Sequence, residues 1–269
     1  MKSLVYILLL ALIPLVSFSQ QKKIDVTYIA NCGFLISIND NQVLIDALFK
    51  DGFGEYLETP DSIAKKIING QGPFSNVHLM LITHNHADHF NDSMVIKYLD
   101  HDIKNKLIAP RSVIDMIKKC PDYIERAQLI EANSMHKDSS FKKITIEAVQ
   151  LQHDNRPEIE NVGYLIEING VKVFHTGDYN CANAIQLKNL HLELQSIDVA
   201  LLNYYGFWQT EGLRNFTVRT LNPKHIVLMH IPPTEIETVK ASVNKISNFI
   251  DMTVFDKSME ERTFSFNQN

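Results

Sequence analysis

Three histidines and an aspartate crowd into Thr83-His84-Asn85-His86-Ala87-Asp88-His89, directly after the apolar run Val77–Ile82. Imidazole nitrogens and carboxylate oxygens are good ligands for borderline divalent ions such as zinc. His84 and His86 stand two residues apart, so in an extended segment they point to the same side. Asp88 and His89 follow where the chain must turn, and their different spacing lets them address a second ion. Further candidates sit at the ends of expected strands: His153 after Ile144–Leu151, Asp178 in His175-Thr176-Gly177-Asp178, and His230 after Ile226–Met229. Functional groups gather at strand ends in open α/β layers, because rigid strands open there into a crevice. The chemistry open to such a set is metal-assisted hydrolysis. Two ions sharing an oxygen lower the pKa of bound water toward neutrality and polarise a scissile carbonyl or phosphoryl oxygen. Asp88, with His89 beside it, would orient the bridging hydroxide. No Gly-x-Ser-x-Gly nucleophile motif competes with this reading.

The elements that must position these groups are legible as two similar halves. The first opens with β-prone runs Ile24–Ala30, Phe34–Ile38 and Gln42–Asp46, with a hairpin turn at Asn39-Asp40-Asn41. A breaker-rich stretch follows, with one short helix over Asp61–Asn69. Val77–Thr83 is a strand, Leu107–Ala109 another, and Asp92–Leu99 and Arg111–Lys119 are helices with Asp92 and Ser112 as candidate N-caps. In the second half Ile144–Leu151, Val162–Ile168 and Val171–His175 are strands, the last two joined by an Asn169-Gly170 turn. Ala182–Gln195, Gly212–Leu221 and Glu235–Ile250 have helical spacing. Asp198–Leu202, Ile226–Met229 and Thr253–Phe255 are strands. Strand-rich openings to both halves indicate an α/β layered domain rather than a simple doubly wound sheet.

The apolar fraction of 45% supports a full core, and a single domain over residues 22–269 is the simplest organisation. A net charge of -5 with no basic block gives no footprint for nucleic acid. Met1-Lys2, the apolar run Leu4–Phe18 and Ser17-Phe18-Ser19 read as a secretory signal peptide over residues 1–19, cleaved after Ser19. The protein is therefore expected to be exported, periplasmic or secreted, with no stable membrane anchor after cleavage. Cys32, Cys120 and Cys181 are an odd set, which leaves at least one thiol outside any internal disulfide.

The run His84–His89 resembles the H-x-H-x-D-H signature of the metallo-β-lactamase superfamily, and Thr176-Gly177-Asp178 and Met229-His230 resemble its later metal motifs. The resemblance implies a four-layer αββα sandwich with metals at one edge. It implies that His84, His86 and His153 hold one ion and Asp88, His89 and His230 the other, with Asp178 bridging; His136 is the alternative to His153. Zinc is the default metal, with manganese or iron compatible. Asp46, at an early strand end, would accept a hydrogen bond from a ligating imidazole. Asn31 stands where related branches often have His.

The context Gln152-His153-Asp154-Asn155 is similar to the branch of ascorbate-lactone hydrolases and phospholipase-D-like enzymes. It lacks the Gly-His-Thr-x-Gly of the antibiotic-cleaving members. An ester, lactone or phosphodiester of a small-molecule substrate is the expected target. A β-lactamase-type amide hydrolase, a mononuclear iron sulfur-oxidising enzyme and a non-catalytic metal-binding protein are the competing readings. Asn203, Tyr204, Tyr205 and Trp208 follow a strand, so they either line a substrate pocket beside Asn31 or close the core. His175 either shuttles protons or is a buried strand-end residue.

Overall fold

Apolar residues at alternate positions build the first sheet. In β1 (Lys22–Ala30), β2 (Gly33–Ile38) and β3 (Asn41–Ile45), Ile24, Val26, Phe34, Ile36, Val43 and Ile45 point to one face. Ile29, Leu35 and Leu44 point to the other, as the two-residue period of a strand requires. Asn39, at φ 53°, turns the chain between β2 and β3, and the three strands form an antiparallel meander. Then helices enter: α1 (Asp61–Ile68) leads to β4 (Val77–Leu81), α2 (Asp92–His101) to β5 (Lys106–Ala109), and α3 (Arg111–Lys119) to β6 (Leu129–Glu131). Strands β3 to β6 pair in parallel, which needs crossover connections, and the helices supply them.

The second half repeats the plan. Strands β7 (His136–Lys137), β8 (Ile144–Gln152), β9 (Glu160–Ile168) and β10 (Val171–His175) are antiparallel. Asn169 and Gly170, both at positive φ, close the β9–β10 hairpin. The chain continues through α4 (Ala184–Asn189), β11 (Val199–Asn203), α5 (Tyr204–Trp208), α6 (Glu211–Leu221), β12 (His225–Met229), α7 (Ile236–Ile246) and β13 (Asp251–Val254). Strands β10 to β13 are parallel, and β14 (Glu261–Phe266) returns to pair with β1. The two sheets have the orders β14-β1-β2-β3-β4-β5-β6 and β13-β12-β11-β10-β9-β8-β7.

Three apolar layers follow. One lies between the sheets, one packs α1, α2 and α3 on the first sheet, and one packs the helices of the second half on the second sheet. This is the αββα sandwich. Burial of each large apolar side chain contributes roughly 1.5–3 kcal/mol, and Phe34, Tyr164 and Phe174 are all buried completely. Tyr164 on β9 also donates its hydroxyl hydrogen to Ile82 O at 2.8 Å. That bond ties the second sheet to the end of β4, one step before the histidine run.

The computed structural model describes residues 21–121, 123–125, 128–132, 136–137, 143–154, 156–179, 181, 183–246 and 250–267. The leader expected over residues 1–19 lies outside them. Among the described residues no helix is long and apolar enough to cross a membrane.

Several local expectations are corrected. The helix expected over Ala182–Gln195 breaks at His191, whose left-handed φ of 49° separates α4 from a 3-10 turn over Leu192–Gln195. The cap of α2 is Asn91, whose side chain accepts Met94 N–H at 3.0 Å, rather than Asp92. The cap of α3 is Pro110 rather than Ser112. Strands β6, β7 and β14 and the short helix α5 are elements beyond those expected from the sequence. They are short, or they gain their order from pairing with β5, β8 and β1 rather than from local pattern.

Candidate metal centre

The loop after β4 carries His84, His86, Asp88 and His89, and the facing sheet edge supplies the remaining candidates. His153 follows β8, Asp178 follows β10 and His230 follows β12. All seven candidate ligands come together. The ring centroids of His84 lie 4.6 Å from His86 and 4.9 Å from His153, and those of His86 and His153 are 4.7 Å apart. Asp178 stands between two clusters of donors. One is His84, His86, His153 and Asp178; the other is Cys32, His89, His230 and Asp178, with donor atoms within 4.8 Å of one another in each. Asp88 Oδ2 joins the second, 3.2 Å from His230 Nε2 and 3.7 Å from His89 Nε2.

Hydrogen bonds fix which ring nitrogen faces inward. A carboxylate oxygen only accepts, so His89 Nδ1–H donates to Asp46 Oδ2 at 2.8 Å. Thr83 N–H donates to Asp46 Oδ1 at 2.8 Å, and Thr83 Oγ1–H to Oδ2 at 2.6 Å. The hydroxyl proton is thereby committed, so His84 Nδ1–H donates to Thr83 Oγ1 at 3.0 Å. His153 Nδ1–H donates to Asp154 O at 2.9 Å. In the neutral ring, Nε2 of His84, His89 and His153 is thus left as a lone-pair donor directed at the centre. These three atoms and His230 Nε2 are buried without a hydrogen-bond partner. Unpartnered buried nitrogens are costly, and a bound cation satisfies them.

The separations fit that role. Metal–nitrogen bonds of about 2.0–2.1 Å place neighbouring donors of a tetrahedral ion roughly 3.3 Å apart. His230 Nε2 to Asp178 Oδ2 is 3.1 Å and His89 Nε2 to Asp178 Oδ1 is 3.3 Å. On the other side His84 and His153 Nε2 are 3.8 and 3.7 Å from Asp178 Oδ2. A His–Asp–Thr relay that holds imidazoles in one tautomer is the usual outer support of a metal site.

The remaining sequence candidates divide. Asn203 is buried and donates to Asp178 Oδ1 at 3.2 Å, while its own Oδ1 caps α5 by accepting Tyr205 N–H at 3.0 Å. Asn31 is also buried; its amide donates to Asp88 O and Oδ2 at 3.2 and 3.0 Å. Tyr205 lies 6.1 Å from the His230 ring and donates to Glu55 Oε1 at 3.1 Å. Tyr204 instead donates to Glu235 Oε2. Trp208 lies tilted against Tyr204, ring centroids 6.1 Å apart, and carries the Arg214 guanidinium over its face at 5.1 Å. His175 is fully buried: its Nε2–H donates to Cys32 O at 2.9 Å and its Nδ1 accepts Gly177 N–H at 3.0 Å.

Four neighbours of the centre carry no site signature in the sequence. Tyr56, from the irregular stretch before α1, packs edge-on against His230 at 4.2 Å. Asn161 accepts Asp178 N–H at 3.2 Å. In the sequence Thr83 marks only a strand end, and Cys32 is one of three scattered thiols. Tyr56, Asn161 and Cys32 meet the centre through residues distant in the chain, whereas Thr83 adjoins the ligand His84. Gly177, at φ 56°, has Asn161 Oδ1 2.3 Å from where a Cβ would stand, so the turn into Asp178 accepts only glycine.

Charge is finely set without a cation. Burial and the neighbouring His89 drive His84 well below the ordinary histidine range. Burial opposes protonation of His230 too, yet the Asp178 and Asp88 carboxylates outweigh it and push the group up to about 9. His89 is held well above its usual range by the same carboxylates against the same burial. A folded pKa above the unfolded value of about 6.5 stabilises fully below that pH and is lost as pH rises through the folded value. Metal-free protein is therefore expected to lose thermal stability between roughly pH 6.5 and 9. Metal-loaded protein gains over the same range, because protons cease to compete for the ligands. Melting curves with and without chelator check this, and equal slopes would contradict it.

Comparison with known proteins gives one family and one fold. The sequence model of the β-lactamase superfamily domain matches residues 41–242. A UPF0173 metal-dependent hydrolase of Pyrococcus furiosus is 26% identical over 220 residues, covering 77% of this chain and 84% of its own length. Among solved structures, Igni18, a metallo hydrolase of Ignicoccus hospitalis, superimposes with a TM-score of 0.63 at 20% identity. That alignment covers 91% of this chain and 100% of the other. The metallo-β-lactamase-fold protein YhfI of Bacillus subtilis gives 0.62 at 13% identity, covering 91% and 100%.

Proposed function

The chain belongs to the metallo-β-lactamase superfamily and is a metal-dependent hydrolase of that fold, and from that premise we propose an exported dinuclear enzyme that cleaves an ester, lactone or phosphodiester of a small molecule. The observation that carries the dinuclear reading is the pair of donor clusters sharing Asp178. His84, His86, His153 and Asp178 would hold one ion; Asp88, His89, His230 and Asp178 would hold the other. Zinc suits these donors best, with manganese or iron compatible. When bound, the ions lower the pKa of a shared water and polarise the scissile oxygen.

The chain's own groups do the rest. Asn31 fixes Asp88 through Oδ2 and leaves Oδ1 buried without a partner, free to accept a proton from the attacking water. Asp46 and Thr83 hold His84 and His89 in the ligating tautomer. Asn203 and Asn161 hold Asp178 by its carboxylate and its backbone N–H. Tyr56 and Tyr205 flank the His230 ring.

Export is supported by the basic start, the apolar run Leu4–Phe18 and the small residues before Gln20. The reading takes residues 22–269 as a single catalytic domain, and a net charge of -5 with no basic block supports a function without a nucleic-acid partner. The test is metal content and turnover of mature protein beside His86→Ala and His153→Ala, on lactone, β-lactam and bis-aryl phosphodiester substrates. Two metals per chain, reduced in both variants together with one activity, support the reading and name the bond. One metal or none in the wild type, or full occupancy in His153→Ala, overturns it.

A further inference from the structure

We propose that Cys32 is a thiolate ligand on the His89–His230 side of the centre, so that this half binds its ion through sulfur as well as nitrogen and oxygen. The inference rests on the dinuclear reading above. Cys32 sits in the turn between β1 and β2, fully buried, and its Sγ lies within 4.8 Å of the ligand atoms of His89, His230 and Asp178. It is 4.0 Å from Asp178 Oδ1. Two buried nitrogens mark the spot as one for a cation. His89 Nε2 and His230 Nε2 are buried there without hydrogen-bond partners. Both are aimed at the carboxylate that the thiol also faces.

The thiol is held in place through its backbone. His175 donates to Cys32 O at 2.9 Å while accepting from Gly177, so one ring joins the Cys32 turn to the Asp178 turn. Gly33 follows at a point where a Cβ would stand 2.7 Å from Asp46 O and 2.9 Å from Ala30 O. That close approach packs the turn against the Asp46 backbone. Metal–sulfur bonds of about 2.3 Å beside metal–oxygen bonds of about 2.0–2.1 Å put such donors roughly 3.5 Å apart. Its 4.0 Å from Asp178 Oδ1 is thus about half an ångström longer than in a coordinated pair. On coordination the S–H bond breaks, the proton leaves to solvent, and the sulfur lone pair forms the bond to the ion.

Two unlike half-sites result. His84, His86, His153 and Asp178 offer only nitrogen and oxygen, whereas the Cys32 half adds a soft donor that favours zinc or cobalt over manganese or magnesium.

The experiment is cobalt substitution of the mature protein, read by metal count and near-ultraviolet absorption, together with zinc X-ray absorption of the wild type. The expected result is two cobalt ions per chain, a thiolate-to-cobalt charge-transfer band, and a zinc–sulfur shell at about 2.3 Å. Cys32→Ser should lose the band while the visible ligand-field bands persist; Cys120→Ser should keep both. The zinc spectrum needs no variant, so poor folding of Cys32→Ser does not blunt the test. Two ions bound with neither the band nor the sulfur shell overturns the inference and leaves the dinuclear reading standing. Failure to bind two ions, with no sulfur signal, overturns both. A band that survives Cys32→Ser but is lost in Cys120→Ser assigns the sulfur elsewhere and also overturns it.

Discussion

Asp178→Asn is expected to lower hydrolysis by about a thousandfold or more, equivalent to roughly 4 kcal/mol of transition-state stabilisation, and to reduce metal content from two ions to at most one. Asp178 is the only residue common to both donor clusters. Its Oδ2 faces His84, His153 and His230, and its Oδ1 faces His89 and accepts from Asn203. An amide keeps the shape but replaces one oxygen with a donor and removes a charge that two cations need. Metal analysis and steady-state rates on the same preparation check this. A variant with two ions and near-normal turnover would remove the bridging role. The change has a second signature. The metal-free protein owes its raised His89 and His230 to the carboxylates against their burial. Asp178→Asn should therefore flatten the fall in metal-free stability between roughly pH 6.5 and 9.

Asp46→Ala carries the second large effect, on stability as much as on metal. The carboxylate is fully buried and accepts from Thr83 N, Thr83 Oγ1 and His89 Nδ1. Its removal leaves these buried donors unanswered at about 1–3 kcal/mol each. With partial relaxation, a net loss on the order of 3–5 kcal/mol is expected. For a chain of this size that lowers the melting temperature by roughly 10 °C. Metal affinity should fall about 10–100-fold, because the tautomers of His89 and His84 are no longer imposed. Calorimetry of the metal-free protein separates the first effect from the second. A melting temperature within about 2 °C of wild type would show that the relay is not structural.

What could be read from the sequence follows from how local each signal is. The run His84–His89 declares itself because its ligands are close neighbours in the chain. Asp178 and His230 follow because each terminates an apolar strand. The meander and the hairpin at Asn169-Gly170 are equally local, set by alternation and turn chemistry. Tyr56, Asn161 and Cys32 carry no such mark. They reach the centre only when β1, β9 and the stretch before α1 are folded against it, and single-residue types in ordinary contexts do not announce such meetings. The split of the expected helix at His191 has the same origin. Its left-handed backbone is imposed by the route from α4 to β11, against a sequence with helical spacing.

The ligands also divide by sheet. His84, His86, Asp88 and His89 hang from the edge of the first, and His153, Asp178 and His230 from the edge of the second. Between those edges the sandwich is otherwise closed chiefly by apolar packing. Bound ions would therefore act as rivets between halves far apart in the chain, adding about 4 kcal/mol of stability at a thousandfold excess over the dissociation constant. Cys32, Cys120 and Cys181 form no disulfide with one another. The proposed export, to surroundings where many small proteins depend on crosslinked cysteines, would make durability rest on metal supply, and a scavenging chelator would expose the seam between the sheets to proteases.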